Sequence, residues 1–585
     1  MGQLEGTRAL HDLVIRGGML IDGTGDPARR ADVAVDDGII SEVGLAVGPG
    51  AREIDATDLL VTPGFVDMHT HYDAQVTWDP YLTPSSWHGC TTVVMGNCGV
   101  GFAPAAPDRH DWLIRLMEGV EDIPGAAMTE GIQWGWESFP EFLDTIEARP
   151  TAIDFAAQVP HGAVRGYVMG ERGANNEDAT PDDIAAMKKI VREALDAGAV
   201  GFSTSRTLLH KSIDGVPVPG TFAAQDEIFG IGEALDEAGR GVYQLAVDHL
   251  DVPGSYDWME ELSRKTGRTV MFTLTQTDFA PALWRDLLAR LEDSAAEGVE
   301  ILGQVAGRAI GVMMNWRITA HPFARHPSFM EVADLPWPEL LALLRTPEFK
   351  DRLLNETGEN LEPFEMLITQ SFDKMYLLEG GIDYEPHPDQ SIAARARRMG
   401  RRPEEIAYEA MLEDDGTAML YFPLFNYSNG DLEHLREMHL HPRTRMGLSD
   451  AGAHCGAVCD GGMPTFMLTH WTRDRSRGER LPLEHIIQRQ TRDTARTYGF
   501  FDRGVVAPGY KADLNVIDYD ALQFEQPQVV FDLPAGGRRL VQRAQGYAST
   551  IVSGVEVVRN GEPTGEFPGR LIRGTQPAPV QPAEV

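Results

Sequence analysis

The sequence predicts an α/β protein, a (β/α)8 barrel carrying a small β-sandwich built from both chain ends. Three observations lead there. Short strand-like runs occupy both ends of the 585-residue chain, apolar strands alternate with helical segments between them, and eight such strands can be nominated. Alternating βα units form parallel sheets, and eight of them close most naturally into a barrel whose functional residues sit at the C-terminal strand ends.

The ends come first. Asp12–Gly18, Ala31–Gly38 and Ile39–Gly44 are apolar runs punctuated by Gly and Asp turns, and the same texture returns in Asp513–Asp518 and Ile551–Gly561. Because domain termini often lie close together, residues 1–62 and 503–574 are expected to form one sandwich and residues 63–502 the barrel. Thr575–Val585 is Pro-rich and polar and reads as a flexible tail. The nominated barrel strands are Val61–His69, Thr91–Gly96, Ile153–Val159, Val200–Thr204, Val242–Val247, Thr269–Leu274, Glu300–Val305 and Arg445–Ser449. One connecting helix is well marked. Thr180 suits an N-cap, Pro181 the first turn, Ile184, Met187, Val191 and Leu195 form an apolar face, and Gly198 supplies a stop. The segment Ile310–Pro442 interrupts the βα rhythm, reads as mostly helical, and suits either a lid or an oligomer contact.

Composition narrows the partners. With 51 Lys+Arg against 88 Asp+Glu, the net charge of −37 repels nucleic acid and anionic membrane surfaces. No run approaches the ~18 apolar residues of a membrane span, and Met1–Leu20 lacks the basic-then-apolar pattern of a secretory signal. Four cysteines, Cys90, Cys98, Cys455 and Cys459, do not make a disulfide framework. These readings predict a cytoplasmic protein acting on a small molecule, with a homo-oligomer open.

The strand ends carry the chemistry. Residues two apart on a strand share a face, so His69 and His71 point together into the barrel mouth, where paired imidazoles form half of a first-row metal site. Cys98 lies in a Gly-flanked turn past the second strand and can reach the same ion as a thiolate. Asp450, at the end of the eighth strand, is placed to bind metal and to take a proton from activated water as the catalytic base. Around the mouth, Arg206, His210, His161 and Gln276 are candidates for holding substrate.

These residues sit in a recognisable set of motifs. The Pro63–His71 stretch, Gly96-Asn-Cys-Gly, Val120-Glu-Asp-Ile-Pro, Trp134-Gly-Trp-Glu-Ser-Phe-Pro, His161-Gly-x-Val-Arg, Ser449-Asp-Ala-Gly-Ala-His and Asp502–Leu514 resemble the amidohydrolase superfamily. The resemblance is to its N-acyl-D-amino-acid deacylase (D-aminoacylase) branch and covers nearly the whole chain. It implies a TIM-type barrel with a sandwich and a zinc-dependent hydrolase of carbon–nitrogen bonds, with Cys98 matching the cysteine that in this branch replaces the superfamily's carboxylated lysine. The chain departs from the branch where strands five and six each end in a histidine: Ala246 and either Leu274 or Thr275 stand there instead. His249 is the one possible additional ligand nearby. One zinc ion is therefore expected rather than two. The resemblance implies metal-activated water attacking an N-acyl amino acid or a related small amide. Hydrolysis of a cyclic amide, carbamate or ester, or a non-catalytic binding scaffold, remain the alternative readings.

Overall fold

The computed structural model describes residues 10–248, 252–379 and 381–579. Eight strands are labelled here in chain order: β1 (Phe65–Asp67), β2 (Cys90–Met95), β3 (Asp154–Ala157), β4 (Gly201–Arg206), β5 (Val242–Val247), β6 (Val270–Thr273), β7 (Ile301–Val305) and β8 (Thr444–Met446). They run parallel in two arcs. One arc pairs β1, β2 and β3; the other runs β4 to β8 in order, opening on the short strand Val159–Pro160, which follows β3 directly. A parallel bridge between Thr70 and Ala451 links the ends of the first and last strands, and the Ser449 hydroxyl donates to Asp67 Oδ2 at 2.5 Å across the same seam. Val66, Val94, Ala156, Val242, Met271 and Leu302, one from each of six strands, pack with Val200, Tyr498, Phe500 and Ile572 in one buried cluster. The mixed α/β fold predicted from the sequence is therefore present.

The first expected strand is in fact two. Val61–His69 breaks at Gly64, leaving Leu60–Pro63 in the end-built sheet and Phe65–Asp67 as β1. A Cβ at Gly64 would lie 2.2 Å from Thr91 Oγ1, so only glycine lets the chain cross from one sheet to the other here. The end-built sheet has nine strands. Leu514–Ile517 lies between Leu60–Pro63 and Tyr547–Val552, so the strands from the two chain ends form the two sides of one sheet and meet at that seam. Gln576, assigned to the tail by its composition, pairs with Phe500 through a bridge.

The marked helix forms over Pro181–Ala197, with a reciprocal capping box between Thr180 and Asp183 and Gly198 in the left-handed region at its end. The segment 310–442 carries most of its regular structure as helices and adds three short strands. Its helices surround a three-stranded antiparallel sheet of Ile310–Met314, Tyr376–Leu377 and Leu420–Phe425, with an apolar core of its own around Trp316, Phe323 and Tyr408. Strand pairing between segments about a hundred residues apart leaves no local periodicity from which to read it. No helix of the described residues is long and apolar enough to cross a membrane.

A buried carboxylate ties this insertion to the main body. Burial raises the pKa of Glu385, but hydrogen bonds from His470, Arg475 and the Leu432 amide outweigh it and lower the value from 4.5 to about 2. A depressed carboxylate stabilises the fold above its unfolded pKa, and that contribution is lost as pH falls from near 4.5 towards 2. It is worth on the order of 3 kcal/mol. Thermal melting between pH 6 and pH 3 should therefore show a steeper loss for the wild type than for Glu385→Gln. Parallel curves would refute the linkage.

Candidate metal centre

The ends of β1, β2 and β8 converge on one point. His69 and His71 follow β1 and Cys98 follows β2; one donor atom from each lies within 4.8 Å of the others, and all three are buried. Asp450 Oδ1 reaches both imidazoles, 3.0 Å from His69 Nε2 and 3.6 Å from His71 Nε2. Cys98 Sγ sits 3.3 Å from the same His69 nitrogen.

Local backbone shapes these contacts. Cys98, Leu448, Asp450 and His454 all have positive φ, between 47° and 59°. Such conformations cost free energy in non-glycine residues and tend to gather where a side chain must be aimed. Gly96 belongs to the same design: a Cβ there would come within 2.3 Å of the Gln158 carbonyl, so glycine lets the turn carrying Cys98 close onto β3.

The surroundings hold the donors in place. His69 Nδ1 bonds Gln304 Oε1 at 2.7 Å, which leaves Nε2 facing the cluster, and the Cys98 amide donates to Gln244 Oε1 at 3.0 Å. Partners of this kind orient ligand rings and set their tautomer. His71 Nδ1 lies 3.2 Å from Glu121 Oε1, and His454 Nε2 lies 3.7 Å from Glu121 Oε2. Burial pushes Glu121 well above the usual carboxylate range. Burial likewise lifts the Cys98 thiol to about 11 against the pull of His69. Burial also opposes charge on Asp450, but the two imidazoles outweigh it and hold the carboxyl well below its ordinary value, so it stands ionised.

These donors suit a divalent first-row ion. Two imidazoles, a thiol and a carboxylate are the usual nitrogen, sulfur and oxygen ligands of such metals. His71 Nδ1 and Glu121 Oε2 are buried with no hydrogen-bond partner among the described residues, as a cluster built to receive a cation would leave them.

A cavity of about 500 Å³ opens above the cluster. His69, His71, Cys98 and Asp450 form its floor, with His210 and His454 nearby. Ala246 lines it near the end of β5, Thr273 at the end of β6 and Thr275 just past it, whereas Leu274 is buried against Gly303. Thr275, not Leu274, is thus the residue facing the site.

The other expected residues are placed differently. His210 lines the cavity and its Nδ1 is 3.1 Å from Ser205 Oγ. His161 is buried in a network with Thr204, Glu227 and Arg165, away from the cavity lining. Arg206 donates to the carbonyls of Gly220 and Ala223, 3.1 and 2.8 Å away. Gln276 joins the loop after β6 to the insertion, accepting from the Ser428 amide and donating to the Pro281 carbonyl. His249 lies outside the described residues. Sequence reasoning had singled out neither Glu121 nor Gln304 as neighbours of the histidines. Glu121 falls in the Val120–Pro124 motif, the one signal that pointed to it.

Fold and site together define an α/β protein with a candidate metal centre at the strand ends. A family comparison matches residues 52–558 to the amidohydrolase family, and the chain belongs to that family. It is 26% identical to the D-aminoacylase of Alcaligenes xylosoxydans xylosoxydans over 96% of this chain and 98% of that one. It is 28% identical to the N-acyl-D-aspartate deacylase of the same organism, over 97% and 96%. Among solved structures, the N-acyl-D-glutamate deacylase of Bordetella bronchiseptica, complexed with zinc and a phosphonate inhibitor, has a TM-score of 0.63 at 24% identity. That match covers 97% of this chain and all of the other.

Proposed function

We propose that this protein is a zinc-dependent amidohydrolase that cleaves the amide bond of a small N-acyl compound. One observation carries the reading: ligand-type donors of His69, His71 and Cys98 lie within 4.8 Å of one another on the floor of an open cavity, with Asp450 touching both imidazoles. The relatives named as deacylases support it.

In the proposed mechanism His69, His71, Cys98 and Asp450 would hold the ion. When bound, the metal supplies Lewis acidity that lowers the pKa of water and polarises a carbonyl. Asp450 is ionised and lines the cavity, so it takes the proton of the attacking water and returns it to the leaving nitrogen. Gln304 keeps His69 in the tautomer that donates Nε2. Glu121 Oε1 stands 3.2 Å from His71 Nδ1 without a hydrogen bond between them.

The architecture is proposed in the same terms. The two parallel arcs close into a (β/α)8 barrel over residues 63–502, which the Thr70–Ala451 bridge and the shared cluster around Val66, Val94 and Met271 support. The insertion 310–442 roofs the cavity as a lid, contributing Ile310, Phe364, Ile368 and Leu424 to its wall. Residues 1–62 and 503–574 act as one β-sandwich. Cavity access fits a small-molecule substrate.

Ala246 and Thr275 offer no imidazole where a second ion would need one, so one metal per chain is the expected content. Metal analysis of purified protein should give about one zinc, and chelation should abolish hydrolysis of N-acyl substrates. Two tightly held ions would overturn the stoichiometry. Full activity in metal-free protein would sink the whole reading.

A further inference from the structure

We propose that this site takes an uncharged, largely apolar amide and rejects substrates bearing a free carboxylate. The proposal rests on the deacylase reading above and narrows it. Its basis is the charge of the cavity wall: among the described residues lining the cavity there is neither lysine nor arginine, whereas Glu118, Asp122 and Glu365 all face it beside the metal ligands.

Basic side chains on the adjoining segments already have partners, in loops or in the wall itself. Arg206 donates to two loop carbonyls, Arg325 pairs with Glu365 at 2.8 Å, and Arg538 donates to the Arg317 carbonyl at 3.0 Å. The sequence at 249–251 is His-Leu-Asp, which adds no lysine or arginine to the end of β5. The wall contributed by the insertion is apolar: Ile310, Val312, Phe364, Ile368, Leu424 and Phe425.

Above the metal floor, a carboxylate entering such a cavity loses its hydration and meets no lysine or arginine among the described lining residues, while Glu118 and Asp122 oppose it. An apolar group loses nothing by desolvation and gains contact with the insertion's wall. Enzymes named for N-acyl-D-aspartate and N-acyl-D-glutamate act on compounds that carry carboxylates. The wall described here separates this chain from them in substrate class while leaving the hydrolytic floor in place.

The test compares two acetamides that differ only in the carboxylate, N-acetyl-D-phenylalanine and N-acetylphenethylamine, on the zinc-loaded full chain. Acetate release and calorimetric binding are both measured, and the L-enantiomer of the acid is run alongside. N-acetylphenethylamine should show a kcat/KM at least about tenfold higher and should bind more tightly. Ile368→Arg, which puts a cation into the apolar wall, should move the ratio about tenfold towards the acid. Faster cleavage or tighter binding of either acid would overturn the proposal and leave the hydrolase reading standing. Preferential binding of the neutral amide without acetate release would support the proposal and refute the hydrolase reading. Binding of neither compound, or a ratio unmoved by Ile368→Arg, would also overturn it.

Discussion

Replacing Asp450 by Asn is expected to cut turnover by at least ~100-fold while most of the metal stays bound. Asp450 is the carboxylate that reaches both imidazoles. Asn keeps the side-chain shape and tolerates the positive φ of 47° at this position, so the backbone turn is retained. What disappears is the proton acceptor. A weak amide ligand remains beside two imidazoles and a thiol, and these hold the ion. His69→Ala supplies the contrast, since it removes a ligand and should lose metal and activity together. Metal content and kcat measured on the same preparations decide the matter. A kcat within tenfold of wild type, or metal lost in proportion to activity, would remove Asp450 from the role of base.

The donors of this centre were legible because each sits at a strand end within a short motif. His69 and His71 are two residues apart after an apolar run, Cys98 lies between glycines, and Asp450 precedes Ala-Gly. The groups beside them were not legible in the same way. Gln304 belongs to β7 and Glu121 to the helix His110–Glu121, 235 and 50 residues from their respective histidines, and only the fold brings them together. Strand-end polar residues also look alike in a sequence whether they face a cavity or the scaffold. Arg206 and His161 show why: loop carbonyls at Gly220 and Ala223 and the buried Glu227 engage them. The three strands within the insertion were not legible, because Ile310–Met314 and Leu420–Phe425 pair across a long helical stretch of sequence.

Ending the chain at Tyr498 is expected to leave the protein insoluble. The cut removes Leu514–Ile517, whose backbone pairs directly with Leu60–Pro63, so that strand would expose unpaired donors and acceptors along its edge. It also removes the partners of Asp154, a buried carboxylate on β3. Arg503 Nη1 lies 2.6 Å from Asp154 Oδ2 and Lys511 Nζ lies 2.8 Å from it. Burial alone would raise the pKa of Asp154, and these two cations outweigh it. Stripping both from a buried carboxylate costs about 3–5 kcal/mol, a large share of the ~5–15 kcal/mol that holds a domain folded. The loss of Phe500 and Ile572 from the cluster beneath the strands adds to it. Arg503→Met grades the effect: Lys511 still faces Asp154, so the full-length variant should stay soluble and melt at a lower temperature than wild type. A monodisperse fragment 1–498 with a cooperative melt would show that the parallel strands stand without the C-terminal segment, and that the two chain ends are an appendage rather than a support.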